Sequence, residues 1–312
     1  LAGILYDSIN KKIKPLDGNV TVYPGHGAGS ACGKNMMKET VDSLGNQKIV
    51  NYALNGKFSK TEFIKELTDN LPEPPSYFPS IVKMNQDGYD DIPDILKRSL
   101  IDLSPQKFKS SAESNQAVIL DTRDASAFCE AHIPGSLFIG LSGSFAPWVG
   151  MLVKDVNQPI LIVSDENKKQ EAIIRLSRVG YDNCIGFLDG GIQSWLSAGF
   201  PTAKVDAKFP VEIEDSLSEI RLIDVRRPGE YNAEHIENID NLPLDTIFSS
   251  IGQYDSTSTY HLHCQSGYRS VIAASILKAN GIQNVVNIVG GIKLIKETTN
   301  LNYVTNSCSS ET

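Results

Sequence analysis

The sequence predicts an α/β protein in which one parallel-sheet domain occurs twice, behind a front segment of a different kind. Three observations carry this. Val118-Ile-Leu-Asp-Thr-Arg123 with Ala131-His-Ile133 matches Arg221-Leu-Ile-Asp-Val-Arg226 with Glu234-His-Ile236, and both Asp121 to Asp224 and His132 to His235 are 103 positions. Gly180 pairs with Gly281, and Gly190-Gly191 with Gly290-Gly291, so the spacing stays near 100 throughout. Within each copy short apolar runs alternate with helical patterns, which argues for parallel strands covered on both faces. The copies are placed at 103–204 and 208–312, after a front segment of residues 1–100.

In the front segment, Thr21-Val-Tyr23 predicts a short strand running into the glycine-rich turn Pro24-Gly-His-Gly-Ala-Gly-Ser-Ala-Cys-Gly33. Helices are expected over about 35–54 and 59–69. Residues 71–79, with four prolines, read as an extended linker, because proline restricts both itself and the residue before it. One strand and two helices cannot bury a domain of this kind alone, so the segment reads as the end of something larger. The chain starts at Leu1 with no signal-peptide pattern, which fits the later part of a longer protein.

In the second copy, 221–225 is an apolar run of strand length, followed by Arg-Pro-Gly turn chemistry and a short helix containing Tyr231. A second strand is expected at 260–263. Residues 270–280 place apolar side chains at 271, 272, 276 and 277 on one helical face, with Gly281 as the cap. A strand at 285–289 then ends in the Gly-Gly turn.

Composition excludes several roles. The formal charge is −8, from 29 basic and 37 acidic residues, and no third of the chain is basic, so the electrostatic footprint of nucleic-acid binding is missing. No run of 18 apolar residues exists, which argues against a membrane-spanning helix. Five dispersed cysteines (Cys32, Cys129, Cys184, Cys264 and Cys308) do not form a disulfide framework and fit a reducing cytoplasm.

The strongest chemical signal is Leu262-His-Cys264-Gln-Ser-Gly-Tyr-Arg269-Ser270, between a strand and a helix. A cysteine at the carboxyl end of a parallel strand lies at the usual active edge of an open α/β sheet. The loop after it ends at a helix N-terminus, where unpaired N–H groups favour an anion. Gly267 permits the curl that turns successive N–H groups inward, and Arg269 adds a permanent charge near the rim. Together these favour a nucleophilic thiolate. A buried core cysteine is the plain alternative, and the Gly and Arg spacing argues against it. The Cys-x5-Arg loop of protein tyrosine phosphatases and arsenate reductases is one residue longer than this Cys-x4-Arg, leaving less room here for a tetrahedral phosphate. His261 and His263 alternate on one strand. They read as strand residues rather than a metal pair, one of them near enough to influence the thiolate.

Cys-x-x-Gly-x-Arg-Ser, preceded by Asp-Val-Arg, Glu-Tyr and His-Ile and followed by Gly-Gly, resembles a rhodanese (sulfurtransferase) domain, and the resemblance spans both repeats. It implies that Cys264 accepts a sulfane sulfur and carries it as a persulfide. Gln265, Ser266, Gly267, Tyr268, Arg269 and Ser270 would then form the substrate loop. Glu234 stands where the family usually has Gly, which is expected to alter a turn and not the chemistry. In the first copy, a gapless alignment on Gly180 and Gly281 puts Val163 opposite Cys264, Lys168 opposite Arg269 and Glu166 at the loop glycine. A shift of one or two residues offers Ser164 or Asp165, never cysteine. This copy is expected to be catalytically silent, and Cys129 and Cys184 read as core or surface residues.

The turn around His26 and Cys32, with the later Pro-Pro-Ser-Tyr-Phe-Pro, resembles the end of the metallo-β-lactamase (αββα) domain of persulfide dioxygenases fused to rhodaneses. That resemblance implies a protein of sulfide detoxification whose full-length form holds mononuclear iron on two His and one Asp, or alternatively zinc, and the His-x-His-x-Asp-His metal motif of that fold is absent from these residues. His26 matches the last metal-site histidine of glyoxalase II-like relatives. With no companions it reads as a residue beside a metal, or one ligand of a partial site, so no cofactor is expected in this chain. Cys32 is a candidate for a redox role facing a persulfide substrate. The expected partners are thiosulfate, persulfides, sulfite and low-molecular-weight thiols, without nucleic acid or membrane, and a homo-oligomer stays open. The competing reading is a tandem module for protein docking in which Cys264 only senses redox state.

Overall fold

A computed structural model describes residues 1–25, 39–69 and 78–305 of the chain. His26, Cys32 and most of the proline-rich segment lie outside the described residues. The chain divides into two compact units, 1–74 and 75–312.

In the first unit α1 (Ala2–Ser8) continues through a π-helical turn at Ile9–Ile13. Strand β1 (Thr21–Val22) pairs antiparallel with β2 (Asp42–Ser43), and α2 (Leu44–Val50) and α3 (Lys60–Thr68) follow. The helix expected from 35 to 54 is therefore shorter: within 39–54 a strand comes first and the helix spans about two turns. Ser43 accepts from the Asn46 N–H, which fixes the start of α2, and a Ser59–Glu62 capping box starts α3. Phe63, fully buried, meets the Tyr6 ring at 5.4 Å, tying α3 to α1.

The second unit begins with α4 (Phe78–Asp87) and α5 (Ile92–Ser99). Phe78 and Pro79, expected to be extended, open α4, where proline's missing N–H costs nothing in a first turn. The helices at 78–99 belong with the residues after them: Met84 lies against Gly180, and Ile95 joins the core of the repeats.

The first repeat runs β3 (Asp102–Leu103), α6 (Pro105–Ser114), β4 (Val118–Asp121), α7 (Ala125–Glu130), β5 (Leu137–Phe138), α8 (Phe145–Leu152), β6 (Ile160–Val163), α9 (Lys169–Ser177), β7 (Cys184–Leu188) and α10 (Gly191–Ser197). Its five strands are parallel in the order β3-β7-β6-β4-β5. The second repeat runs β8 (Asp206–Lys208), β9 (Arg221–Asp224), α11 (Pro228–Ala233), β10 (Glu234–Ile236), β11 (Asp240–Asn241), α12 (Ile247–Ser250), β12 (Tyr260–His263), α13 (Tyr268–Ala279), β13 (Val285–Ile288), α14 (Gly291–Thr298) and β14 (Tyr303–Thr305). Its parallel sheet, β11-β9-β12-β13-β8, has the same topology, and β10 and β14 form a separate antiparallel pair.

Helix α13 explains how the repeats join. Every residue from Ser270 to Leu277 is buried, so it is not the one-faced helix read from positions 271, 272, 276 and 277. One side lies on its own sheet and another on the first repeat, where the Phe138 N–H donates to Ser275 Oγ at 3.1 Å. One apolar cluster runs through both repeats, joining Phe128, Phe138 and Trp148 to Val271, Ile272 and Ala274, and each repeat has a further cluster of its own. None of the described helices is long and apolar enough to cross a membrane.

Candidate active site

Strand β12, the central strand of its sheet, delivers Cys264 to the carboxyl edge, and the chain curls through 264–267 into α13. Gly267 makes the curl possible, with φ at +94° in the region that side chains resist. Its N–H then points at Cys264 Sγ from 3.2 Å. Ser270 Oγ lies 3.6 Å from the same sulfur and donates to Asn287 Oδ1 at 2.7 Å. The Gly290-Gly291 turn closes the back of the loop. A Cβ on Gly291 would collide with the Cys264 carbonyl oxygen and the Gln265 backbone, and the Ile292 N–H donates to that carbonyl at 2.7 Å. Cys264 is only 1% exposed.

Arg269 does not stand free at the rim. Its two terminal nitrogens donate to Glu230 Oε2 and Oε1 at 2.6 and 2.7 Å, a bidentate pair between the loop and α11. The guanidinium holds the Glu230 carboxyl below the usual carboxylate range, and Glu230 raises Arg269 in turn. Glu230 is a site residue that sequence reading passed over, although a signal existed: the first repeat has Ala127-Phe128 where the second has Glu230-Tyr231. Asn287 was missed too, a buried polar residue inside an apolar strand.

Other pieces that the two repeats share are scaffold. Arg226 forks onto Asp224 (2.9 and 2.6 Å to Oδ2) and donates to the Glu234 carbonyl at 2.7 Å. In the first repeat Arg123 does the same with Asp121 and the Ala131 carbonyl. His132 and His235 each bond the carbonyl four residues back and stack on Phe128 and Tyr231. Glu234 opens β10 in extended backbone with its side chain paired to Lys296, so the residue in place of glycine sits without strain. His263 is fully buried, and burial pushes it below its ordinary value towards the neutral form. Its Nε2 lies 3.8 Å from Asp224 Oδ2 and its Nδ1 3.4 Å from the Cys264 carbonyl oxygen. His261 is pushed down by burial as well. Among the described residues no three His, Cys, Asp or Glu side chains gather as a metal site.

The two sheets also correct the alignment of the corresponding loop in the first repeat. Asp121 pairs with Val163 as Asp224 pairs with His263, so Ser164, not Val163, takes the place of Cys264. On the same count Lys169, not Lys168, stands for Arg269, and Glu166 answers to Ser266 rather than to the glycine. Lys169 is drawn to Asp102 and Glu166, both at 2.6 Å. Cys129 and Cys184 are core residues whose thiols burial pushes up to about 12.

The first repeat nevertheless reaches the site. A cavity of about 640 Å³ outside the loop is lined by Gln265, Arg269, Glu230 and Arg227 from the second repeat and by Ser144 and Met151 from the first. A second cavity, about 560 Å³, borders Gly267 and Gly290 on one side and Cys129 on the other.

This architecture has relatives. The Rhodanese-like domain family matches residues 104–198 and 210–298. YqhL of Bacillus subtilis (strain 168) is 33% identical over 82 residues, 26% of this chain and 65% of that protein. The thiosulfate sulfurtransferase PspE of Escherichia coli (strain K12) is 36% identical over 73 residues, 23% of this chain and 69% of that one. A metallo-beta-lactamase structure from Staphylococcus aureus subsp. aureus COL aligns at 27% identity and a TM-score of 0.45, covering 58% of this chain and 48% of that chain.

Proposed function

Since the chain belongs to the rhodanese-like domain family, we propose that it is a sulfurtransferase that moves sulfane sulfur through a Cys264 persulfide. The observation that carries this is the Gly267 N–H aimed at Cys264 Sγ from 3.2 Å, in a loop clamped behind by the Gly-Gly turn. In the first half-reaction the Cys264 thiolate attacks the outer sulfur of a donor such as thiosulfate. The new S–S bond forms as the donor's S–S bond breaks, and sulfite leaves with the electron pair. In the second, a thiolate or sulfite acceptor attacks the outer sulfur of the persulfide and Cys264 departs as thiolate. No external oxidant or reductant is consumed. The Gly267 N–H holds negative charge on sulfur in both steps, and the Arg269–Glu230 pair fixes the loop's helical end.

The resemblance of the front segment supports a wider reading, a persulfide dioxygenase–sulfurtransferase of sulfide detoxification in the cytoplasm, with iron or zinc held by residues other than those described. No step above runs through a metal. PspE, named a thiosulfate sulfurtransferase, supports the donor chemistry. Thiosulfate-to-cyanide turnover by the wild type, with mass analysis of its peptides, tests the proposal. One added sulfur is expected on the Cys264 peptide after thiosulfate, and Cys264→Ser should lose both label and turnover. Sulfur found on Cys129 instead, or full turnover in the Ser variant, would refute it. Absence of turnover with an oxidisable Cys264 would leave the docking and redox-sensing reading in its place.

A further inference from the structure

We infer that the first repeat, which has no thiol at the catalytic position, holds the catalytic loop of the second in place through Tyr268, a positioning residue seated in residues 138–143 of the first repeat. The inference rests on Cys264 being the sulfur carrier. Tyr268 lies between the two loop residues that act at the site, Gly267 with its N–H on the sulfur and Arg269 with its fork on Glu230. Its side chain reaches into the first repeat. The hydroxyl donates to the Gly140 carbonyl at 2.8 Å, and the ring meets Phe138 nearly edge-on at 5.8 Å between centroids.

The receiving segment is shaped for this ring. A Cβ on Gly143 would overlap the Tyr268 ring, so the residue there has to be glycine while the tyrosine is in place. Burial pushes the Tyr268 phenol well above its ordinary value, which keeps the hydroxyl a donor. The silent loop has nothing comparable. Lys168, the counterpart of Tyr268, is half exposed and pairs with Glu171 inside its own repeat. The tie between repeats therefore exists on the one loop that carries a thiol. A donor N–H placed on the sulfur is sensitive to small displacements, which cost rate far out of proportion to their size.

The test uses the full chain and three variants. Tyr268→Phe removes only the hydroxyl, and Gly143→Ala pushes the ring from its seat. Ser275→Ala is the control: it removes another hydrogen bond of the same interface, two turns along α13 from the loop. Tyr268→Phe should lower kcat for thiosulfate about three- to tenfold, the worth of one hydrogen bond, while KM changes by less than about twofold. Gly143→Ala should lower kcat by about tenfold or more. Both should speed hydrogen exchange in the 264–270 segment. Ser275→Ala should lower Tm yet keep wild-type kcat and loop exchange. Wild-type kcat and loop exchange in Tyr268→Phe would overturn the inference, as would an equal loss in Ser275→Ala. If the wild type transfers no sulfur, the reading of Cys264 fails on its own, and the exchange experiment still decides whether Tyr268 holds the loop.

Discussion

At the ends of their central strands, β6 and β12, the two repeats present the corresponding edge of two equivalent sheets with different contents. The first shows Ser164, followed by a lysine pulled between Asp102 and Glu166. The second shows Cys264, a glycine N–H on its sulfur, and an arginine forked onto Glu230. Away from these edges the copies coincide. Each has a buried Asp–Arg pair two residues apart, a histidine stacked on the ring four residues before it, and a Gly-Gly turn with both φ angles positive. An internal repeat thus acts as a control within one chain. What both copies keep is first read as scaffold, and what one copy alone keeps is the candidate for the chemistry.

The largest effect should come from the shared part. Asp121→Ala and Asp224→Ala each leave a buried guanidinium without its carboxylate, and loss of one partner from such a pair costs about 3–5 kcal/mol. Urea unfolding of both variants should show losses of similar size. A severe loss in one repeat with none in the other would mean that the pair in the sensitive repeat is more than scaffold.

A smaller effect is read through pH. Burial pushes His132 from 6.5 down to about 4, with its ring stacked on Phe128. The unfolded chain therefore binds a proton between those values that the folded chain refuses. Stability is full above about pH 6.5 and falls as pH drops towards 4, by about 3 kcal/mol for this residue. His261 and His263 are pushed the same way and steepen the slope. Unfolding curves at pH 7, 5.5 and 4.5 should show the decline, reduced in His132→Gln. A flat profile would show that the ring is protonated in place.

Much of the site was legible in sequence because its signals are local. A strand-length run, a cysteine, a glycine three residues on and an arginine two further need no knowledge of the rest of the fold. What sequence misplaced depends on three-dimensional register. The repeats are offset by 103 at Asp121 and Asp224 but by 100 at Val163 and His263, so the length difference falls between strands β4 and β6. A further single-residue difference lies between the loop and the following glycine, where Gly180 and Gly281 are offset by 101, so an alignment anchored on Gly180 slipped by one residue at the loop. The wall that the first repeat gives the cavity was hidden for a different reason. Pattern reading assigns a helix one apolar face, whereas α13 carries Val271-Ile-Ala-Ala-Ser-Ile-Leu277, apolar nearly all round. That run was the available sign of a second neighbour.

The register correction leads to the smallest expected effect, which is none. Ser164→Cys puts a thiol at the position of Cys264, in a sheet of the same topology and at the end of the same strand. If sulfur transfer needed only a cysteine at this edge, the variant would gain a second active loop. The structure argues otherwise. Asn167 replaces the glycine that curls the Cys264 loop, Lys169 is engaged by two carboxylates, and Asp165 and Glu166 bring negative charge where an anionic donor would have to approach. The turn behind is looser as well: a Cβ on Gly191 would stand 4.0 Å from the Ser164 carbonyl, whereas on Gly291 it would collide with that of Cys264. In a Cys264→Ser background, Ser164→Cys should restore no thiosulfate-to-cyanide turnover and take up no sulfur. Sulfur on the peptide that carries the Ser164→Cys substitution would break the comparison, because the thiol alone would then separate the first repeat from the second.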